Sequence, residues 1–164
     1  MNKFYDSKVH MWSGLMSGMS YTLQRGLREI SGGIGDVSFH SSMSGYDGWM
    51  DVAMATIARK AESVVLMGHS NGSYAATKCA HVLAPYRIKC YVCSFDATLM
   101  RIPDLGSNVP EALDIWAGFR KLKAGSDFTG NLVFADFGPD THISVIENEH
   151  AQRMAIAFGR RWKA

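Results

Sequence analysis

The sequence contains little cysteine, with 3 residues in 164, and little proline, with 4. An odd number of cysteines cannot form a fully paired disulfide framework, so Cys79, Cys90 and Cys93 are predicted to be reduced thiols. The segment "CYVC" matches the C-x-x-C pattern, but it lies in an apolar run typical of a buried strand. Residues three apart on a strand point to opposite faces, which argues against a redox or zinc site there.

The sequence also lacks a long apolar run and a strong excess of one charge. Its 17 basic and 15 acidic residues leave a net charge of +2, with no cluster of Lys and Arg of the kind that follows a phosphate backbone. No apolar stretch approaches the roughly 20 residues of a membrane span, and "MNKFYDSKVHMW" lacks the apolar core of a signal peptide. We therefore expect a cytoplasmic protein that has no membrane span, does not bind nucleic acid and needs no cofactor or metal.

The hydrophobic content of 47% is enough for one core, so residues 1–164 are predicted to form a single domain. Short apolar runs alternate with helical patterns, which is typical of βαβ units. The fold class predicted is α/β: a doubly wound, mostly parallel sheet of about five strands with helices on both faces. The predicted strands are Lys8–Trp12, Asp36–Phe39, Ser63–Met67, Ile88–Phe95 and Asn131–Ala135.

Helical spacing of apolar residues predicts helices over 19–30, 50–61 and 151–162. A further helix is predicted to begin near "NVPEALDIWAGF". Asn108 and Glu111 there have the spacing of a capping box, and Pro110 suits a first helical turn.

The segment "VVLMGHSNGSYAA" places Ser70 between a predicted strand and a predicted helix. Gly68 and Gly72 flank the serine at positions where a Cβ would meet neighbouring backbone, so they are predicted to form the turn. The backbone N–H of Asn71, at the start of the following helix, can stabilise an oxyanion. This pattern is that of a nucleophile elbow, with Ser70 as the nucleophile.

A serine of ordinary acidity needs a histidine base and a carboxylate that orients it, in the chain order Ser, acid, His. Asp96 is the preferred acid because it follows a long strand at the carboxyl end of the sheet, where ligands bind. Asp136 is the first alternative. Asp104 and Asp140 are rivals in loops, where aspartate usually forms turns.

His142 is the preferred base because the Gly138–Pro139 turn before it can hold its ring over the sheet. His150 is the alternative, and its spacing from Glu147 favours a solvated pair on a helix face. The second oxyanion donor is predicted to be the backbone N–H of Leu15, which Gly14 allows to approach closely. His69 is interpreted as a packing or supporting residue.

These residues resemble those of the α/β-hydrolase superfamily, the serine esterases, lipases and thioesterases. The elbow "VVLMGHSNGSYAA" carries the resemblance, while "SFDAT" and "DTHISV" agree in order and context. The resemblance implies a triad of Ser70, Asp96 and His142, although most members place the acid one strand later, which keeps Asp136 open. It also implies a small, lidless enzyme that cleaves an ester or thioester, with a small-molecule or polymer-borne substrate.

The oligomeric state is left open. An apolar rim to the site is proposed from a set of five residues, namely Tyr46, Trp49, Leu99, Met100 and Ile102. The alternative function is a non-catalytic relative that uses the crevice for binding. A nucleotide site at "SGGIGD" is disfavoured, because this segment lacks the G-x-G-x-x-G spacing and precedes a strand.

Overall fold

The sheet has six strands, all parallel, in the order β2-β1-β3-β4-β5-β6. The structure is a computed structural model, and it describes residues 5–14, 21–40, 48–98 and 101–164. The α/β fold predicted from the sequence is confirmed. The strands are β1 Val9–Trp12, β2 Val37–His40, β3 Ser63–Ser70, β4 Lys89–Ala97, β5 Glu111–Trp116 and β6 Asn131–Asp136.

Within the described residues, four α-helices cover the sheet, two on each face. They are α1 Tyr21–Ile34, α2 Trp49–Ala58, α3 Asn71–Leu83 and α4 Glu149–Lys163. Helices α1 and α4 pack on one face through a buried cluster that includes Leu27, Ile30 and Phe158. Helices α2 and α3 pack on the other face, where Val52, Ala76 and other small apolar side chains meet the sheet. In the described part of the chain no helix has the length and apolarity needed to cross a membrane.

The segment Glu111–Trp116 corrects the sequence analysis, which predicted a helix there and about five strands in all. It forms β5, the sixth strand, and pairs with β4 and β6. Leu113 and Ile115 pack against the α1–α4 side while Ala112 packs against the α2–α3 side, so the run is buried on both faces. A continuous apolar run of this kind is typical of an inner parallel strand. Because it does not alternate with polar residues, its sequence pattern does not distinguish a strand from a helix.

The capping-box interpretation fails at Asn108. Its side-chain amide donates to the carbonyl oxygens of Ala80 at 2.9 Å and Ile88 at 3.3 Å instead of capping a helix. This asparagine ties the loop before β5 to the end of α3 and the start of β4, a tertiary contact that local sequence spacing does not reveal.

The other predicted strands are found within three residues of their expected ends. The order of the strands also fixes where a ligand can bind. The chain leaves β1 toward β2 on one side, and β3 begins the run toward β6 on the other. In open parallel sheets ligands bind outside the carboxyl ends of the strands at such a switch point, which lies here between β1 and β3.

Candidate active site

Ser70 lies at the sharp corner where β3 ends and α3 begins. Its backbone has φ 55° and ψ −123°, a combination that a residue with a side chain rarely adopts. Strain of this kind persists only where the surrounding structure holds it, and it concentrates at functional sites. The corner presents the serine at the carboxyl end of the sheet, at the switch point.

Two glycines allow this corner to form, because no larger residue fits at their positions. A Cβ added at Gly68 would lie 2.2 Å from the backbone of Gly72, and one at Gly72 would lie 2.2 Å from the carbonyl oxygen of Trp12. Any larger residue would push β1, β3 and the first turn of α3 apart. The glycines on either side of Ser70 therefore permit the close approach of three backbone segments.

The loop after β1 comes next to the serine. A Cβ at Gly14 would lie 2.6 Å from Cβ of Ser70 and 3.2 Å from its Oγ, so glycine is needed for this approach as well. Leu15, the predicted second oxyanion donor, lies outside the described residues. Asn71 is the first residue of α3, and the N–H groups of a first helical turn have no acceptor within the helix. Its role as an oxyanion donor stays a prediction.

Asp96 and His142 are brought together across 46 residues of chain. Nδ1 of His142 lies 2.7 Å from Oδ2 of Asp96, and the Asp96 side chain is fully buried. Its Oδ1 accepts hydrogen bonds from the backbone N–H groups of Ala117 and Phe119, each at 2.9 Å. Burial raises the pKa of Asp96, but the bonds from His142 and these two amides outweigh burial and hold it below its usual value. The carboxylate is therefore ionised and fixes the ring of His142.

His142 is held by two further contacts, one to its ring and one to its backbone. Phe119 stacks on it with a centroid separation of 4.0 Å and an interplanar angle of 16°. Nε2 of His69 lies 2.8 Å from the carbonyl oxygen of His142, so this nitrogen carries a proton and donates it. Because Nδ1 of His142 faces Asp96, its Nε2 is the atom that remains for proton transfer.

His69 itself is buried at the end of β3. Burial, followed by the neighbouring charge of His142, lowers its pKa to about 3, although its bond to the His142 carbonyl opposes this shift. His69 therefore stays neutral and acts as a hydrogen-bond donor to the loop that carries His142. The sequence analysis anticipated a supporting role for His69 but could not identify its partner.

Ser70 lies beside the strand that carries Asp96. It pairs in register with Ala97 of β4, and the backbone N–H of Thr98 donates to the Ser70 carbonyl at 3.2 Å. Between the described residues, no hydrogen bond joins Ser70 to His142 in this structure. In ligand-free hydrolases this contact is often long and shortens when substrate binds.

The rival carboxylates have other partners. Oδ1 of Asp136 accepts from the N–H of Gly138 at 2.8 Å and so closes a local turn. Asp140 accepts from Ser144 and Asn148 and ties the loop to the start of α4. Neither contacts His142 in the described structure, whereas Asp96, near the carboxyl end of β4, does.

Of the remaining predicted residues, some lie in the described part of the chain and others lie outside it. His150 is exposed in the first turn of α4, with its ring 5.9 Å from that of Phe137. Of the proposed apolar rim, Ile102 is buried and Trp49 half-buried. The other three members, Tyr46, Leu99 and Met100, lie outside the described residues.

The three cysteines are buried and unpaired. Burial raises the pKa of each thiol, to about 12 for Cys79, so none is a reactive thiolate at neutral pH. Over the described ranges, no three His, Cys, Asp or Glu side chains form a group that could hold a metal ion.

Phe119 is the site residue that sequence reasoning missed. It was hidden because the segment around it was predicted to continue a helix, whereas the residues after β5 form an irregular loop that returns to Asp96. The only available signal was the aromatic residue next to Gly118, whose φ of 125° marks a turn.

No protein-family model matches the sequence, and no curated protein is similar to it. The structure is similar to a crystal structure from Xanthomonas campestris pv. campestris, that of a "putative hydrolase of the alpha/beta superfamily". The TM-score is 0.50 and the identity 18%, over 93% of this chain and 96% of the other. At this identity the likeness is one of fold alone, a parallel sheet with helices on both faces.

Proposed function

We propose that the protein is a serine hydrolase that cleaves an ester or thioester through an acyl-enzyme on Ser70. The observation that carries the proposal is the 2.7 Å hydrogen bond between His142 and the buried carboxylate of Asp96, on the strand next to a serine held at φ 55° at the strand-to-helix corner. An orienting carboxylate, a base and a nucleophile on adjacent elements are the parts that acyl transfer needs.

In this mechanism Nε2 of His142 accepts the proton of Ser70 as Oγ attacks the substrate carbonyl carbon. The new C–O bond gives a tetrahedral oxyanion, which the backbone N–H groups of Asn71 and Leu15 stabilise. Asp96 holds Nδ1 of His142 protonated and stabilises the imidazolium. When the bond to the leaving group breaks, His142 returns its proton to the departing alcohol or thiol. Water, activated by the same nitrogen, then hydrolyses the acyl-enzyme.

A second candidate is a non-catalytic binding protein that keeps the elbow as architecture. This candidate requires no contact between Ser70 and His142, and no hydrogen bond joins them among the described residues. The two candidates differ in one chemical property, because only an activated serine reacts rapidly with a fluorophosphonate.

We expect a fluorophosphonate probe to label Ser70 alone and stoichiometrically, as located by mass spectrometry. Ser70→Ala should abolish both labelling and hydrolysis of a 4-nitrophenyl ester, while its melting temperature stays within a few degrees of wild type. Ser126→Ala, at an exposed loop serine, is the matched control and should label normally. A folded wild-type protein that neither labels nor hydrolyses esters would favour the binding protein.

A further inference from the structure

A cavity of about 340 Å³ lies between the loop that follows β4 and the loop that follows β5. It is lined by Arg101, Ile102, Asp104, Arg120, Lys121 and Lys123, and we call it the cationic cavity. Four cationic side chains face it against one carboxylate, in a protein whose net charge is only +2. Like charges gathered in a concave site repel one another unless an anion joins them.

The cationic cavity adjoins the candidate active site through its backbone. Arg120 pairs with Ala97, and its N–H donates to the Ala97 carbonyl at 3.3 Å. Ala97 is in turn the register partner of Ser70. Two successive strand spacings place the backbone of Arg120 roughly 10 Å from that of Ser70. Phe119, one residue earlier, stacks on His142, so the same loop contacts both places.

Two of the four cations, Arg101 and Lys123, are not engaged in an ion pair among the described residues. Both of these residues are exposed. Nζ of Lys121 lies 4.5 Å from the ring centroid of Trp116 and 4.1 Å from that of Phe134. This cation–π arrangement holds the Lys121 ammonium against the two rings, and its charge also favours the ionised form of Asp114.

We propose that the cationic cavity binds an anionic group of the substrate, so that the preferred substrate is an ester or thioester carrying a carboxylate or phosphate. This inference rests on the proposed function, because it assigns a substrate class to the same site. Arg and Lys side chains around a concave surface recognise such oxyanions and raise the rate of their encounter. Because the backbone of Arg120 lies roughly 10 Å from that of Ser70, we place the anionic group a few bonds from the scissile carbonyl.

The test compares kcat/KM for matched esters. For an anion on the acyl side, the pair is mono-4-nitrophenyl glutarate and 4-nitrophenyl pentanoate. For an anion on the leaving group, the pair is 4-acetoxybenzoate and phenyl acetate. We expect the double variant Arg101→Gln, Lys123→Gln to lower the anionic-to-neutral ratio about tenfold in one of the two pairs, which identifies the side that carries the anion. Added salt should lower the same ratio in the wild type.

The control double variant, Arg28→Gln and Lys89→Gln, makes the same change of charge at exposed positions away from the cavity and should leave both ratios unchanged. If the wild type hydrolyses the neutral esters but the cavity variant alters neither ratio, the inference is wrong while the proposed function stands. If the wild type hydrolyses no ester and no probe labels Ser70, both are wrong.

Discussion

Three buried histidines should make the folded protein lose stability on mild acidification. Burial, together with the positive charges of His40 and Arg59, lowers the pKa of His10 to about 3. Burial lowers that of His40 to about 4, and burial with the charge of His142 lowers that of His69 to about 3. The ring of His10 is hydrogen bonded within the fold, with Nδ1 3.1 Å from Nε2 of His40.

The sign follows from where the protons bind. In the unfolded chain a histidine takes up a proton near pH 6.5, whereas these three remain neutral in the folded protein down to about pH 4 or below. The unfolded state therefore binds more protons over this range, and the free energy of unfolding falls as the pH falls. Between pH 7.5 and 5.5 each histidine contributes a loss of about 1.4 kcal/mol, or about 4 kcal/mol for all three.

Asp114 opposes part of this loss. Burial, and to a smaller degree the charge of Asp96, raises the pKa of its carboxyl to about 6. The folded protein therefore takes up a proton at Asp114 on acidification while the unfolded chain does not. This difference reduces the loss in the free energy of unfolding by about 1 kcal/mol. The net expected loss is about 3 kcal/mol, a large share of the 5–15 kcal/mol typical of a domain.

Urea unfolding followed by circular dichroism at the two pH values measures this difference. His69→Phe should reduce the loss by about 1.4 kcal/mol, because one of the three differences in proton binding is removed. His81→Gln, at an exposed position on α3, is the control and should leave the loss unchanged. An unfolding free energy that is equal or higher at pH 5.5 would refute the reasoning.

Two further predictions concern the candidate site and its scaffold. Asp96→Asn should lower kcat for a 4-nitrophenyl ester by on the order of 10⁴, because the amide no longer fixes the ring of His142. Asp136→Asn should have little effect, and a reversal of these two results would assign the acid to Asp136. Gly72→Ala should lower the free energy of unfolding by about 3 kcal/mol or more in urea titrations, because its Cβ would overlap the backbone of Trp12. Gly32→Ala, in open space on α1, should be neutral or stabilising, and equal losses for the two glycines would contradict the steric argument.

The elbow was predictable because its determinants are local. An apolar run, two glycines around a serine and an Ala-rich continuation lie within 13 residues, and strand and helix periods are visible over that length. The choice of Asp96 and His142 followed from a more general regularity, since the carboxyl ends of parallel strands meet at one edge. Their role as a catalytic pair stays a prediction, although the structure places them in contact.

The segment Glu111–Trp116 shows the limit of predicting secondary structure from local sequence. Its capping-box spacing favoured a helix, but β4 on one side and β6 on the other supply hydrogen bonds along its length. Backbone pairing with strands distant in sequence overrides a weak local preference. With that strand in place, the loop after it returns to Asp96 and sets Phe119 against His142.

The sequence by itself determined the fold class, the serine on its turn and the order of the candidate triad. Each follows from a short-range sequence pattern or from the fact that the carboxyl ends of parallel strands lie at one edge of the sheet. Only the tertiary structure decided what surrounds them: the bond from His69 to the His142 loop, the stacking of Phe119 and the cations gathered beside Ala97. These contacts join residues far apart in the chain, and their geometry depends on the packing of loops whose paths no local periodicity specifies.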